Sequence, residues 1–387
     1  MRAVVCHEGK LSVDEIETPQ PGPGQVLLKV RRTGICGSDL HARTHSDDTA
    51  DVTAEVGYDR FMRSTDHVVM GHEFIGEIAE YGPKCRKKWA TGTLVAALPI
   101  IKHGETEHLV GLSADAPGAY AEYVVVSEDM TMPVPDGVPL DHAALTEPLS
   151  VAVHAVNRGG VSKRDVAVVV GCGPIGLSVI LVLKAKGVKT VIASDLSAGR
   201  RDLARRCGAD IVVDPTVDSP WDIAAKKGKY LTRTGQLLGT AFDAMHILRR
   251  VPGLPWWKAI ELGDKVGATP KGPVVFECVG VPGMIENIVS GVPLRTRIVV
   301  VGVCMESDRF RPAMAINKEV DLRFVIYYDP AEFRTALHLI ADGKVDVTPL
   351  VTGIVGFDAV ADVFEILGGA EQHAKVLIDP SSPVAAL

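Results

Sequence analysis

The stretch "VAVVVGCGPIGLSVILVL", residues 166–183, admits two readings, and the choice between them decides the fold. It carries no charge and is about as long as the roughly 18 apolar residues at which a membrane-spanning helix becomes feasible. Gly-Cys-Gly-Pro in its middle argues against one continuous helix. A β-branched run precedes those glycines and an apolar helical pattern follows them, so the segment reads as buried strand, tight turn and buried helix. Gly171, Gly173 and Gly176 then form G-x-G-x-x-G, with Pro174 and Ile175 inside the motif and Asp195 closing the next strand. Such glycines let a backbone turn approach a pyrophosphate closely, the helix N-terminus adds positive dipole, and an acid roughly 20 residues on accepts ribose hydroxyls. A carboxylate at Asp195 would repel a 2′-phosphate, which favours NAD over NADP, although Arg200 and Arg201 leave phosphate pairing open.

Outward from that turn, strand and helix patterns alternate. "DVAVVVG" (165–171), "TVIASD" (190–195), "DIVVDP" (210–215), "GPVVFECVG" (272–280), "RIVVVGV" (297–303) and "LRFVIYY" (322–328) read as strands. Six strands with crossovers predict a doubly wound parallel sheet, an α/β domain. The first 150 residues differ. They are rich in Val, Gly and Pro, and "VLLKVRRTGI", "VVMGHEFIGEIAEYG", "GTLVAALPII" and "GAYAEYVVVSED" read as short strands of an irregular β-barrel-like domain. After about residue 329 come two amphipathic helices, "PAEFRTALHLIADGKV" and "FDAVADVFEILGG", then a short strand, "AKVLID".

Composition narrows the partners. A chain of 387 residues that is 47% hydrophobic supports two cored domains. Acids outnumber bases 48 to 41, and no dense Lys/Arg block offers an electrostatic footprint for nucleic acid or an anionic membrane, so a small-molecule partner is expected. Seven cysteines, odd in number and without any C-x-x-C, argue against a disulfide framework and fit a reducing cytoplasm. The N-terminal "MRAVVCHEGKLSVDE" lacks the apolar centre of an export signal.

A second concentration of chemistry lies in "TGICGSDLHART" (33–44), which sets Cys36, Ser38, Asp39 and His41 close together. "MGHEFIGEI" adds His72 and Glu73, and "LTEPLSVAVHA" adds Glu147. A catalytic zinc takes about three N, S or O ligands and keeps one position open. Cys36, His72 and Glu147 would meet that with a neutral sum. Glu73 as a fourth permanent ligand would make the site negative and blunt a Lewis acid, so Glu73 is read as a residue behind the metal or one that exchanges onto it. Each residue also has an ordinary reading: a small buried thiol, a hydrogen-bonded core histidine, a charge at a helix start. Spacing alone does not join them.

Resemblance does. "GICGSDLH", "GHEFIGEI", "GAYAEYVVV", "EPLSVAVHA", "VVVGCGPIGL" and "FECVG" stand in the order they have in the zinc-dependent alcohol and polyol dehydrogenases of the medium-chain dehydrogenase/reductase superfamily, and the chain resembles that family over nearly its whole length. The resemblance implies a GroES-like, β-rich catalytic domain made of 1–151 and 329–387, with a Rossmann-like domain over 152–328 inserted between them. It implies catalytic zinc on Cys36, His72 and Glu147 with Glu73 beside it, a proton relay at Ser38 and His41, a supporting acid at Asp39 and a basic cofactor-side residue at Arg200. It also implies a nicotinamide cleft between the domains near Val279 and Val303. Ser38 would reach the substrate oxygen, and His41 would pass its proton outward through the cofactor ribose. Homodimers and homotetramers are the family's habit.

Three features depart from the family. "LPIIKHGETEHLVGLSADAPGAY" (98–120) has no cysteines where the family often binds a structural zinc, so one zinc per chain is expected. The stretch between His41 and His72 is long, and its Tyr58, Phe61 and Met62 either cover a bulky substrate or belong to a solvent-facing loop. Residues of about 224–272 form an insertion, whose Trp256 and Trp257 are expected to serve packing or subunit contact. The whole points to a cytoplasmic, zinc-dependent, NAD-preferring enzyme that moves a hydride between an alcohol or polyol and the cofactor, giving the aldehyde or ketone. The rivals are a zinc-free reductase of the same superfamily and a nucleotide-binding protein without turnover; an intact ligand set and relay argue against both.

Overall fold

The computed structural model describes residues 1–251, 255–265, 269–369 and 372–387, with the side chains of Trp256 and Asp264 outside the described set, so the expectation for Trp256 lies there too. The chain divides into two compact units, Met1–Val153 with Tyr327–Leu387, and His154–Ile326.

In the second unit the strands Ile211–Val213, Thr190–Ser194, Val166–Val170, Val274–Glu277, Arg297–Val300 and Asp321–Phe324 pair in that order, all parallel. Numbered along the chain this is 3-2-1-4-5-6, the order of a doubly wound dinucleotide-binding sheet. All six expected strands are present. Val166–Val170 is central and buried throughout, and the helix Pro174–Ala185 that follows buries Gly176 to Leu183. The charge-free stretch is therefore a strand covered on both faces plus a core helix, as parallel sheets require. Among the described residues no helix is long and apolar enough to cross a membrane. The insertion is shorter than the sequence suggests, because Pro220–Gly228 buries Pro220 and Ala224 and acts as a crossover helix of the sheet. Beyond it, helices Thr234–Leu248 and Trp256–Lys265 stand as an added hairpin.

In the first unit the larger sheet runs Thr131–Pro133, Leu94–Ala97, Glu73–Tyr81, Gln25–Gly34, Lys375–Ile378 and Val351–Val355, with Tyr123–Ser127 also paired to Gln25–Gly34. Gly34, at the end of its strand, is paired with Glu73 on one side and Leu377 on the other. That register brings residues 36, 73 and 375 to one strand end. A Cβ at Gly34 would collide with Glu73 Oε2, so the glycine makes room for a carboxylate. Directly after this strand the chain turns at Cys36 into the helix Gly37–Glu55, kinked at His45. Met62 is buried and Phe61 packs on the same cluster, so both are core residues, and the covering role weighed for them gives way to packing. Tyr58 is tied down as well, its hydroxyl accepting from Leu109 N at 3.0 Å.

Candidate active site

Strand end, helix start and C-terminal strand converge on a buried group of charged side chains. Cys36 Sγ, a His72 ring nitrogen and a Glu73 carboxylate oxygen all lie within 4.8 Å of one another, the one such group of three among the described residues. His72, Glu73 and Glu147 are buried, and Cys36 is half-buried at the N-cap of the helix.

Asp39, fully buried on the first helical turn, organises the cluster. Its Oδ2 accepts from Cys36 N at 2.9 Å and from the Tyr120 hydroxyl at 2.6 Å, while Oδ1 lies 3.2 Å from His72 Nδ1. Burial works against the Asp39 charge, yet the His72 imidazole and these hydrogen bonds outweigh it and hold the carboxyl below its ordinary value. With Nδ1 facing Asp39, His72 Nε2 is left facing Ser38 Oγ at 3.5 Å, and Ser38 Oγ is in turn 3.0 Å from Cys36 Sγ. An imidazole oriented by a carboxylate on one nitrogen is the usual arrangement of a metal-ligating histidine.

Lys375 was not singled out by the sequence, and it is decisive for charge. It is 1% exposed, its Nζ lies 2.8 Å from each Glu73 oxygen, and it also donates to Ile35 O at 3.0 Å. Burial disfavours the ammonium, but Glu73, with Cys36 and Glu147 nearby, outweighs this and raises its pKa. Glu147, on the helix Thr146–Gly159, accepts from the Tyr328 hydroxyl at 2.8 Å, a second partner that the sequence did not reveal. Burial and the Glu73 carboxylate push Glu147 up to about 7, and burial and Glu73 likewise push the Cys36 thiol up. The donor set thus fits a divalent cation: thiolate, imidazole and carboxylate converge, and two of the acids are driven toward neutrality until positive charge is supplied. His41 lies one turn beyond Ser38 on the helix and is exposed, with burial and the neighbouring His45 lowering its pKa.

The second concentration lies on the parallel sheet. Gly171 has φ +87°, and a Cβ on Gly176 would collide with the Gly171 carbonyl, so turn geometry explains both. Gly173 is different: nothing lies within 4 Å of a Cβ built there, at the N-cap of Pro174–Ala185. Protein packing does not ask for glycine at that position, which leaves the helix N-terminus open to close approach. Asp195 holds the turn, Oδ2 accepting from Cys172 N at 2.7 Å and Oδ1 from Ser197 N at 2.8 Å. Arg201 donates to the carbonyls of Asp195 and Leu196 at 2.9 and 2.7 Å and pairs with Asp214 at 3.0 Å. Arg200 lies in the first turn of the helix Ala198–Arg206, its backbone N donating to the N-cap Ser197 Oγ. Val279 and Val303 follow neighbouring strands at the same sheet end, and both are partly exposed, at 39% and 56%. Buried Glu277, another residue the sequence left unremarked, accepts from Val279 N and Gly280 N at 2.6 and 2.8 Å and shapes that rim.

The sequence profile described as the alcohol dehydrogenase GroES-like domain matches residues 22–136. The (R,R)-butanediol dehydrogenase of Bacillus subtilis (strain 168) is 30% identical over 392 residues, covering 98% of this chain and 100% of that protein. Sorbitol dehydrogenase of Bos taurus is 28% identical over 94% of this chain and 91% of its own length. Among solved structures, a Sinorhizobium meliloti 1021 protein bound to NADP superposes with a TM-score of 0.74 at 26% identity, covering 98% of this chain and 99% of that one.

Proposed function

The chain belongs to the alcohol and polyol dehydrogenases of the medium-chain dehydrogenase/reductase superfamily, an oxidoreductase acting with NAD(P), and from that premise we propose a zinc-dependent, NAD-preferring dehydrogenase of a small alcohol or polyol. The observation that carries this reading is the convergence of Cys36, His72 and Glu73 at one strand end, with Glu147 interacting alongside.

Cys36, His72 and Glu147 would hold the metal, and Glu73, neutralised by Lys375, would stand beside it or exchange onto it. Thiolate plus one free carboxylate balances a divalent ion, and Lys375 removes the objection that Glu73 would make the site negative. Bound there, zinc supplies a Lewis acid that lowers the pKa of an alcohol hydroxyl, while NAD supplies the hydride acceptor. The protein's part is orientation and proton transfer. Asp39 fixes the His72 ring, and Ser38 Oγ, close to both Cys36 and His72, is positioned to take the hydroxyl proton from the substrate. His41 carries that proton outward. Gly171, Gly173, Pro174, Ile175 and Gly176 would cradle the pyrophosphate on the helix N-terminus, Asp195 would accept the ribose hydroxyls, and Val279 and Val303 would border the nicotinamide. Arg201 is committed to Asp214 and two carbonyls, which supports NAD over NADP; Arg200 borders the adenosine ribose. A single zinc per chain, cytoplasmic location and a homodimer or homotetramer complete the reading. A zinc-free reductase is less well supported, because it gives the Cys36–His72 pair no task.

The test is steady-state turnover on a panel of alcohols and polyols with each cofactor, with and without a strong chelator. Chelation should abolish activity, NAD should give much the higher kcat/KM, and Asp195→Ala should narrow the gap roughly tenfold. Full activity after chelation, or equal use of both cofactors, would count against the reading.

A further inference from the structure

The added hairpin presents an apolar face that its own unit does not cover. Helix Thr234–Leu248 buries none of its 15 residues, and Leu238 and Phe242 are 56% and 66% exposed. Trp257 and Leu262, on the second helix, are 59% and 62% exposed. Leu238, Phe242, Met245 and Arg249, at i, i+4, i+7 and i+11, share one face. Helices of this length are marginal alone and take their stability from packing. The same stretch is basic: residues 226–271 hold nine Lys and Arg against three Asp and Glu, in a chain whose net charge is −7.

The other unit carries a face of opposite sign. Past its kink, helix Gly37–Glu55 sets Asp48, Val52 and Glu55 at i, i+4 and i+7, with Asp51, itself paired with Arg63 at 2.8 Å, beside them and Val56 following. Val52 and Val56 are 53% and 82% exposed, flanked by exposed acids.

We propose that these two faces are the halves of a contact between two copies of this chain, the basic hairpin of each copy seated on the acidic Gly37–Glu55 helix of the other. The proposal rests on the homo-oligomer reading and deepens it. Pairing hairpin with hairpin would set basic clusters against each other, which costs affinity, whereas the reciprocal arrangement matches sign to sign and apolar to apolar. A standard interface buries about 800 Å² per partner, and the exposed apolar residues of these faces would form its centre with the charged side chains around them as its rim. An anionic lipid surface would satisfy the hairpin and leave the acidic, apolar helix face without a role.

The experiment is sedimentation velocity of the full chain over a concentration and salt series, for the unmodified protein, Arg249→Glu with Arg250→Glu, Asp48→Lys with Glu55→Lys, and the four changes combined. All four positions are exposed and none belongs to the proposed catalytic machinery. Each charge-reversed pair should weaken self-association at least tenfold, and the combination should recover most of it. Association unchanged in both pairs overturns the contact alone, as does a hairpin defect that the acidic reversal fails to rescue. A monomer at every concentration overturns the oligomer reading with it. Binding to vesicles containing phosphatidylglycerol, lost in the Arg249 and Arg250 variant without any change in association, would assign the hairpin to lipid instead.

Discussion

At the proposed dinucleotide turn, Gly171, Cys172, Gly173 and Asp195 lie within 25 positions and work through backbone geometry, whereas the proposed metal site draws Cys36, His72, Glu73, Glu147, Tyr328 and Lys375 from the length of the chain and works through buried charge. The first site is made by local turn sterics on an apolar strand. The second exists only once two strands from opposite ends of the chain lie on either side of Gln25–Gly34. Substitutions should accordingly act singly and locally at the turn, and collectively at the cluster.

The widest separation between the two regions should come from Cys36→Ala. Loss of a thiolate ligand removes the metal's contribution, worth several kcal/mol, so kcat/KM should fall roughly 10³-fold or more. NAD affinity, read by fluorescence titration, should stay within about twofold, since the turn is untouched. Comparable losses of both would mean that the two regions are not independent.

Lys375→Met probes the charge balance. It leaves Glu73 buried without its cation, a change that costs about 3–5 kcal/mol when one partner of a buried pair is removed. Glu73→Gln on the same background should restore a large part of the lost stability in denaturant unfolding. A simple sum of two losses would show that the pair does not act as a unit.

Acidity gives a smaller effect with a definite sign. Without a cation beside it, burial and the Glu73 carboxylate raise Glu147 from 4.5 to about 7. A raised carboxyl keeps its proton in the folded chain after the unfolded chain has lost it, so stability falls as pH climbs from about 4.5 to 7, by up to about 3 kcal/mol. A bound cation relieves that cost. The difference in Tm between zinc-loaded and stripped protein should widen from about pH 5 to about pH 8, and a gap that narrows would contradict the charge assignment.

The least disruptive change separates two glycines of one motif. Gly173→Ala meets open space and should leave Tm unchanged while weakening NAD roughly tenfold, an effect of about 1.4 kcal/mol. Gly176→Ala meets the Gly171 carbonyl and should lower Tm first. Identical profiles for the two would remove the case for a ligand at Gly173.

The same contrast decides what the sequence reveals. The central parallel strands Val166–Val170, Thr190–Ser194, Val274–Glu277 and Arg297–Val300 are legible because each is a short, largely buried run rich in β-branched residues, and a buried parallel strand needs no alternation to be recognised. The glycine turn is legible because its steric demands are written into neighbouring residues. Helix Gly37–Glu55 is not, since its second half, "HSDDTADVTAE", offers polar residues without an apolar period. Cys36, His72 and Glu147 could be nominated as donors, but their chemistry could not be balanced without Lys375, which lies 302 positions from Glu73 and looks like the first residue of an ordinary strand. Tyr328, 181 positions from Glu147, carries no local signal at all.

The proposal at stake is that Cys36, His72 and Glu147, with Glu73 held by Lys375, form a single zinc centre. Elemental analysis of protein purified without added metal, before and after dialysis against a strong chelator and again after zinc is returned, tests it most directly. About one zinc per chain is expected, lost together with activity and regained together with it. Metal-free protein that turns over at the full rate, or two tightly held zinc ions per chain, would contradict it.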